Sequence, residues 1–255
     1  MESLSIWLKI KRSIEHLEAL KGAIAQDVAG YGDSFIRNAD GKETIHLIET
    51  GPIVSLYAGE FIYQLRSALD HVAFDLVQTN KSRIRLPANW EENCTFPTWF
   101  TLKPGQSAPL PYGIFKGLPG IPKEAHALIE SVQPYYPTGA ANTSLRLLTK
   151  LSNIDKHRRF ALTRARAKIH HRVIYKSGYT GESLDTLDHG AEISKPDFGE
   201  EDRIVNVERS ATLSIAFDEG DVIGDATTVP IDDLLKSILS NIWGKIIDPL
   251  RRFTW

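Results

Sequence analysis

The chain has 255 residues, 42% of them hydrophobic and 24% charged, with a formal net charge of −2. That composition suits a globular protein with one large core or two small ones, and it gives no general attraction to nucleic acid or to a membrane. A single cysteine, Cys94, excludes an intrachain disulfide and a cysteine-rich metal site and fits a reducing, cytoplasmic setting. The N-terminus MESLSIWLKIKRSIEHLEAL alternates apolar and charged residues at helical spacing. It lacks the apolar core of an export signal, and no run in the chain approaches membrane-spanning length.

In chain order, residues 5 to 29 carry Ile6, Ile10, Ile14, Leu17, Leu20 and Ile24 on one stripe, which predicts an amphipathic helix ended by Gly30 and Gly32. Two β-leaning runs flank Asp40-Gly41 and predict a hairpin. Pro52 opens a helix to about Thr79. Residues 81 to 122 are rich in Pro, Gly and aromatics and are expected to form an ordered loop over a helical face. Helices are predicted at 123–132 and 142–159. From about Phe160 to Thr228 the period changes from 3.6 to 2, as in strands, and an amphipathic helix then runs from about 229 to a stop before Pro249. The expected fold is α+β: a helical bundle with a mostly antiparallel β-sheet in the C-terminal half and a closing C-terminal helix, forming a single domain over 1–255.

The segment LRSALDHVAFDLV, from Leu65 to Val77, places charged residues in the middle of the second helix. Wound at about 100° per residue, Val54, Tyr57, Phe61, Leu65, Ala68, Leu69, Val72 and Leu76 share one side, so this is a core helix. Glu60, Gln64, Ser67 and His71 line one flank of the apolar face, and Arg66 and Asp70 the other, spaced i,i+4. One reading makes Arg66 and Asp70 an exposed helical ion pair worth ~0.3–0.5 kcal/mol and His71 a boundary histidine hydrogen-bonded to a neighbour.

A second reading comes from resemblance. Arg66 to His71 fits the R-x4-6-H pattern of the HEPN superfamily, helical-bundle proteins many of which are metal-independent endoribonucleases of toxin–antitoxin, CRISPR and abortive-infection systems. The chain also resembles an uncharacterised bacterial family with one helix reading LR(N/S)ALDH and a later one reading N-x-D-K-H-R, here Asn153 to Arg158. The HEPN resemblance implies that Arg66 and His71 are catalytic and that the site is composite, two copies of the helix meeting in a homodimer. Active HEPN enzymes commonly carry Asn, Asp or His after the arginine, where this chain has Ser67. Chemically, a histidine would move the proton of a 2′-OH or of a leaving 5′-oxygen, and an arginine would stabilise the phosphorane. The two residues lie about 140° apart on a straight helix, which is why such a site needs a second copy.

Two further constellations stand out. On the fourth predicted helix, Leu147, Leu148, Leu151 and Ile154 are continued by Asp155 and Arg158 on the same face, with His157 to one side. A buried carboxylate and guanidinium there would either clamp this helix to its neighbour or brace Arg66 and His71 from behind. Beyond it, Arg164, Arg166, Lys168, His170 and Arg172 alternate with other residues, so a strand would set all five on one face, a spacing suited to an RNA backbone. The alternative is neutralisation by the acidic block from Glu182 to Asp202. Trp90, Phe96, Trp99 and Phe115 would stack bases or cover core. Eight histidines show no metal-ligand spacing, and no nucleotide-binding loop or serine-nucleophile motif is present, so no metal or cofactor is expected. Cys94 is either a nucleophile with a distant histidine or a small apolar filler. Function therefore has two candidate forms: a HEPN-like metal-independent endoribonuclease or RNA-binding protein, or a non-enzymatic binding or scaffold protein in which Arg66, Asp70, His71, Asp155 and Arg158 are clamps.

Overall fold

The structure is a computed structural model. It describes residues 4–29, 35–37, 43–45, 51–83, 85–86, 88–101, 118–136, 139–158, 160, 162, 166–176, 180–187, 204–218 and 229–254, with only the backbone for most strand residues. Its contacts divide the chain into two compact units, one of residues 1–20, 56–159 and 232–255, the other of 21–55 and 160–231.

The first unit is built from helices. Helix α1 (Leu4–Ala29) buries Ile6, Ile10, Ser13, Leu17 and Leu20, a stripe at helical spacing. Ser13 can stand in that stripe because its hydroxyl donates to the Lys9 carbonyl at 3.1 Å. Ile14, expected inside, is 44% exposed. Helix α2 (Pro52–Asn80) is the hub. Phe61, Ile62, Leu65, Ala68, Leu69, Val72, Ala73, Leu76 and Val77 are all fully buried, more than one face's worth, as a helix wrapped by neighbours requires. Each large side chain there contributes ~1.5–3 kcal/mol by leaving water. At its C-terminal end the buried Asn80 donates to the Leu76 carbonyl at 2.7 Å, and the Thr79 hydroxyl donates to the Thr254 carbonyl at 3.1 Å, tying α2 to the last residues of the chain.

A short α3 (Trp90–Asn93) leads into an extended stretch, Cys94 to Thr101. Helix α4 (Lys123–Ser131) begins after Pro122, which cannot itself extend a helix backwards, and buries Ala125 and Ile129. Helix α5 (Ala140–His157) begins after Gly139, whose φ of 136° is open to glycine and strained for other residues. It buries Leu145, Leu147, Leu148 and Leu151. Helix α6 (Ile231–Ile242) passes through a π-helical turn (Trp243–Ile247) into α7 (Asp248–Arg251). The helix was expected to stop before Pro249. It continues because the π-turn resets the ladder and leaves Pro249 in the first turn of α7, where its missing N–H has no helical partner to lose.

In the second unit the backbone of β1 (Phe35–Arg37) pairs antiparallel with β2 (Glu43–Ile45), and β3 (Arg166–Tyr175) lies between β4 (Thr180–Leu187) and β5 (Ile204–Ser214), antiparallel to both. Beside them Phe160 and Phe217 meet edge to face, ring centroids 5.0 Å apart, and the Ile231 N–H donates to the Ile215 carbonyl at 2.8 Å.

The α+β fold class is therefore corrected. Of the residues described with their side chains 71% are helical, they form no sheet, and the first unit has a helix-on-helix core rather than helices gathered round an antiparallel sheet. A period of 2 reports which residues alternate along a backbone. It does not report what an apolar helical face packs against, and most of the buried apolar side chains described here lie on helices of the first unit.

Candidate functional site

Arg66, Asp70 and the extended stretch after α3 form one hydrogen-bonded unit. The Arg66 Nη2 donates to the Phe96 carbonyl at 2.7 Å and lies 3.1 Å from the Asp70 Oδ1, and Nη1 reaches the Thr98 hydroxyl at 3.5 Å. The same Asp70 Oδ1 accepts the Phe96 N–H at 2.9 Å. Thus a helical i,i+4 pair takes both the N–H and the C=O of one residue, in the manner of a neighbouring strand. From the other side the fully buried Gln133 accepts the Trp99 N–H at 3.0 Å and donates to the Pro97 carbonyl at 3.1 Å and the Ile129 carbonyl at 2.9 Å. Asn142 donates to the carbonyls of Ser131 and Gln133, each at 2.9 Å. Residues 96–99 are a strap whose backbone is held by side chains; among the described residues no strand pairs with it.

The Arg66 side chain is only 18% exposed and that of Asp70 34%. Burial, the larger influence, pulls the Arg66 guanidinium below its ordinary pKa, and Asp70 opposes it. The expected exposed ion pair is thus replaced by a partly buried clamp. Phe96, whose backbone it grips, is 1% exposed and serves as core.

Beside the clamp, α2 lines an open cleft of about 470 Å³ with Ser67, Asp70, His71, Phe74 and Asp75, spaced i, i+3, i+4, i+7 and i+8; α1 adds Ser5, and Cys94 comes from just after α3. Helical spacing explains why these five share a face. Asp70 belongs to both sets, a position the sequence alone assigned to the opposite flank from His71. Among the described residues His71 takes no hydrogen bond or ion pair, and the buried Oδ2 of Asp75 has no partner. Phe74 stacks on Trp90, centroids 5.2 Å apart at 24°. Cys94 is buried, and burial first, then Asp70 and Asp75, push its thiol up to about 12. It is therefore a filler and not a thiolate nucleophile at neutral pH.

The remaining candidates do not join this site. Asp155, His157 and Arg158 are all exposed, so the buried Asp155–Arg158 pair is not formed. The apolar stripe of α5 ends at Leu151, and a helix leaving its core one turn before its end exposes whatever continues the pattern. Asp155 instead lies against α2: a methyl built on Gly59 would fall on its carboxylate. Burial, then Glu60, raises its pKa. Of the basic row, Arg164 lies outside the described residues. Arg166, Lys168 and His170 are described as backbone positions of β3, and Arg172 is exposed. In register Arg172 stands between Glu182 and Glu208, His170 between Leu184 and Ser210, and Lys168 between Thr186 and Thr212. Phe115 also lies outside the described residues, Trp99 is 37% exposed, and Trp90 is half-buried under Phe74. No set of three His, Cys, Asp or Glu among the described residues could hold a metal ion, and no helix among them is long and apolar enough to cross a membrane.

Asp75, Gln133 and Thr98 were not singled out from the sequence. Asp75 had a signal, since it continues Ser67 and His71 at i+8 and i+4; the contacts of Gln133 with the strap and of Thr98 with Arg66 had none, because those partners lie more than 30 residues away in the chain. No protein-family model, curated protein or solved structure matches the chain.

Proposed function

We propose that the chain is a non-enzymatic binding or scaffold protein in which Arg66 and Asp70 clamp the strap and the neighbouring cleft takes a ligand. The observation that carries this reading is the commitment of the Arg66 guanidinium to the Phe96 carbonyl, at 2.7 Å, and to Asp70. An arginine that stabilises a phosphorane must present its donors to the phosphate, and both Nη atoms of Arg66 are engaged in holding the chain. The cleft also carries two carboxylates, Asp70 and Asp75, which repel a phosphodiester.

A HEPN-like metal-independent endoribonuclease, acting as a homodimer on RNA in bacterial defence, is the second reading. What favours it is His71, uncommitted and lining an open cleft, together with the alternation of Arg166, Lys168, His170 and Arg172 along β3. It requires Arg66 to leave the Phe96 carbonyl in each copy. The test is an EDTA-treated nuclease assay across varied RNAs, beside thermal melts of the wild type, Arg66→Ala and His71→Ala. The clamp reading expects no cleavage and an early-melting Arg66→Ala. Wild-type cleavage abolished by either substitution at unchanged melting temperature would overturn it.

A further inference from the structure

We infer that the α2 cleft binds a small organic cation, an alkylammonium or guanidinium group, seated between Asp75 and His71 and against the ring of Phe74. This rests on the reading of the cleft as a ligand site. Three independent features converge on it. First, Asp75 lines the cleft and its Oδ2 makes no hydrogen bond within the chain, so the carboxylate has acceptor capacity left for a donor toward which its side chain turns. Second, charge at the cleft is unbalanced: Asp70 and Asp75 contribute two negative charges and Arg66 offsets one, through an Oδ1 already shared with the Phe96 N–H. Third, the aromatic ring of Phe74 and the imidazole of His71 stand beside the carboxylates, and a ring face next to carboxylate acceptors suits a cation with several N–H donors.

The same features exclude other occupants. An anion would meet two carboxylates. A bare metal ion would need three ligating groups, which no described cluster supplies. A cation that brings its own hydrogen-bond donors needs only separated acceptors. A cleft of about 470 Å³ takes a polyamine or the basic side chain of another protein, so the shared chemistry is an ammonium or guanidinium head on a short apolar stem.

The experiment is titration calorimetry and thermal melting of the full chain with three probes: spermidine, N-acetylarginine amide and inorganic phosphate. Saturable binding of spermidine or of the arginine amide is expected, with a rise in melting temperature, and none for phosphate. Tighter binding of spermidine assigns the cleft to free polyamines; tighter binding of the arginine amide assigns it to a basic side chain. Asp75→Asn, nearly isosteric, should weaken binding at least 10-fold, and His71→Gln should weaken it about 3-fold or more; the second variant decides if the first fails to fold. Absence of binding by both amines, or wild-type affinity in both variants, overturns the proposal. Arg66-dependent RNA cleavage would overturn the clamp reading while leaving amine binding untouched, so the two failures are distinguishable.

Discussion

The two sides of α2 that meet at Asp70 are built from similar residues and do opposite things. On the strap side, Arg66 and Asp70 share Phe96 between them, and Gln133 holds Pro97 and Trp99 from across the strap. On the cleft side, one turn further along, His71 and the buried oxygen of Asp75 have no partner among the described residues. A polar group is costly to bury, so one whose bonds are all made within the chain serves the fold, and one left unmade implies a ligand or stored strain. Charge in a helix is therefore uninformative about function until its partners are known. The lesson bears on the R-x4-6-H pattern itself, because its two fixed positions fall on different sides of this divide.

The contrast breaks most readily at Arg66. Arg66→Ala would leave a partly buried Asp70 carboxylate and an unsatisfied Phe96 carbonyl, a loss of about 3 kcal/mol, below the upper range for buried pairs because Asp70 is 34% exposed. In a chain of this size that lowers the melting temperature by roughly 6–12 °C. His71→Ala, measured in the same buffer, should change stability by less than about 0.5 kcal/mol. Equal losses from the two substitutions would mean that the divide along α2 is not real.

Gln133→Ala tests the far edge of the strap. It removes one acceptor and two donors, stranding the Trp99 N–H and the Pro97 carbonyl, and should cost about 2 kcal/mol in urea unfolding. Because Arg66 and Gln133 grip the same strap, the double substitution should cost less than the sum of the two, since once one edge is released the other holds a strap already loosened. Additive costs would show the two edges to be independent.

How much of this was legible follows from how far each signal travels in the chain. The helices of the first unit were visible because the residues that bury them recur every three or four positions, and α2 announced itself through Leu65, Leu69, Val72 and Leu76. The cleft is half visible: spacing alone aligns Ser67 and His71, yet the same winding sets Asp70 on the opposite flank, and Asp75 lines the cleft with them. Asp70 misled because its i,i+4 partner looked sufficient, whereas its carboxylate also accepts the Phe96 N–H, 26 residues on. The strap contacts of Gln133 and the Arg66 contact of Thr98 carry no local signal, since each spans more than 30 residues. The α+β class failed for a different reason: alternation after Phe160 reports strand spacing along the backbone, not the class of the chain, and 71% of the residues described with their side chains are helical. Asp155 and Arg158 were assigned to the interior by extending a stripe past the point where α5 leaves its core.

That last error defines the smallest effect and the sharpest measurement. Were Asp155 the buried partner of Arg158, Asp155→Ala would cost ~3 kcal/mol or more; the exposed carboxylate seen here should cost less than about 0.5 kcal/mol to remove. Its raised pKa fixes the sign with pH. The folded chain holds this proton more tightly than the unfolded one, so Asp155 lowers stability as pH rises from its unfolded value through its folded one, and Asp155→Asn should flatten the curve in that acid window. Gly59 then provides the coupling. Alanine in a helix interior is favoured over glycine by ~0.5–1 kcal/mol, but at Gly59 the added methyl would fall on the Asp155 carboxylate and push it outward. Gly59→Ala alone should therefore be close to neutral, and in the Asp155→Ala background it should stabilise by about 0.5–1 kcal/mol, because the three atoms nearest the new methyl all belong to the Asp155 carboxylate. Thermal melts of the four proteins in this cycle give the coupling directly, and a cycle that closes with none would mean that Asp155 does not lie against α2.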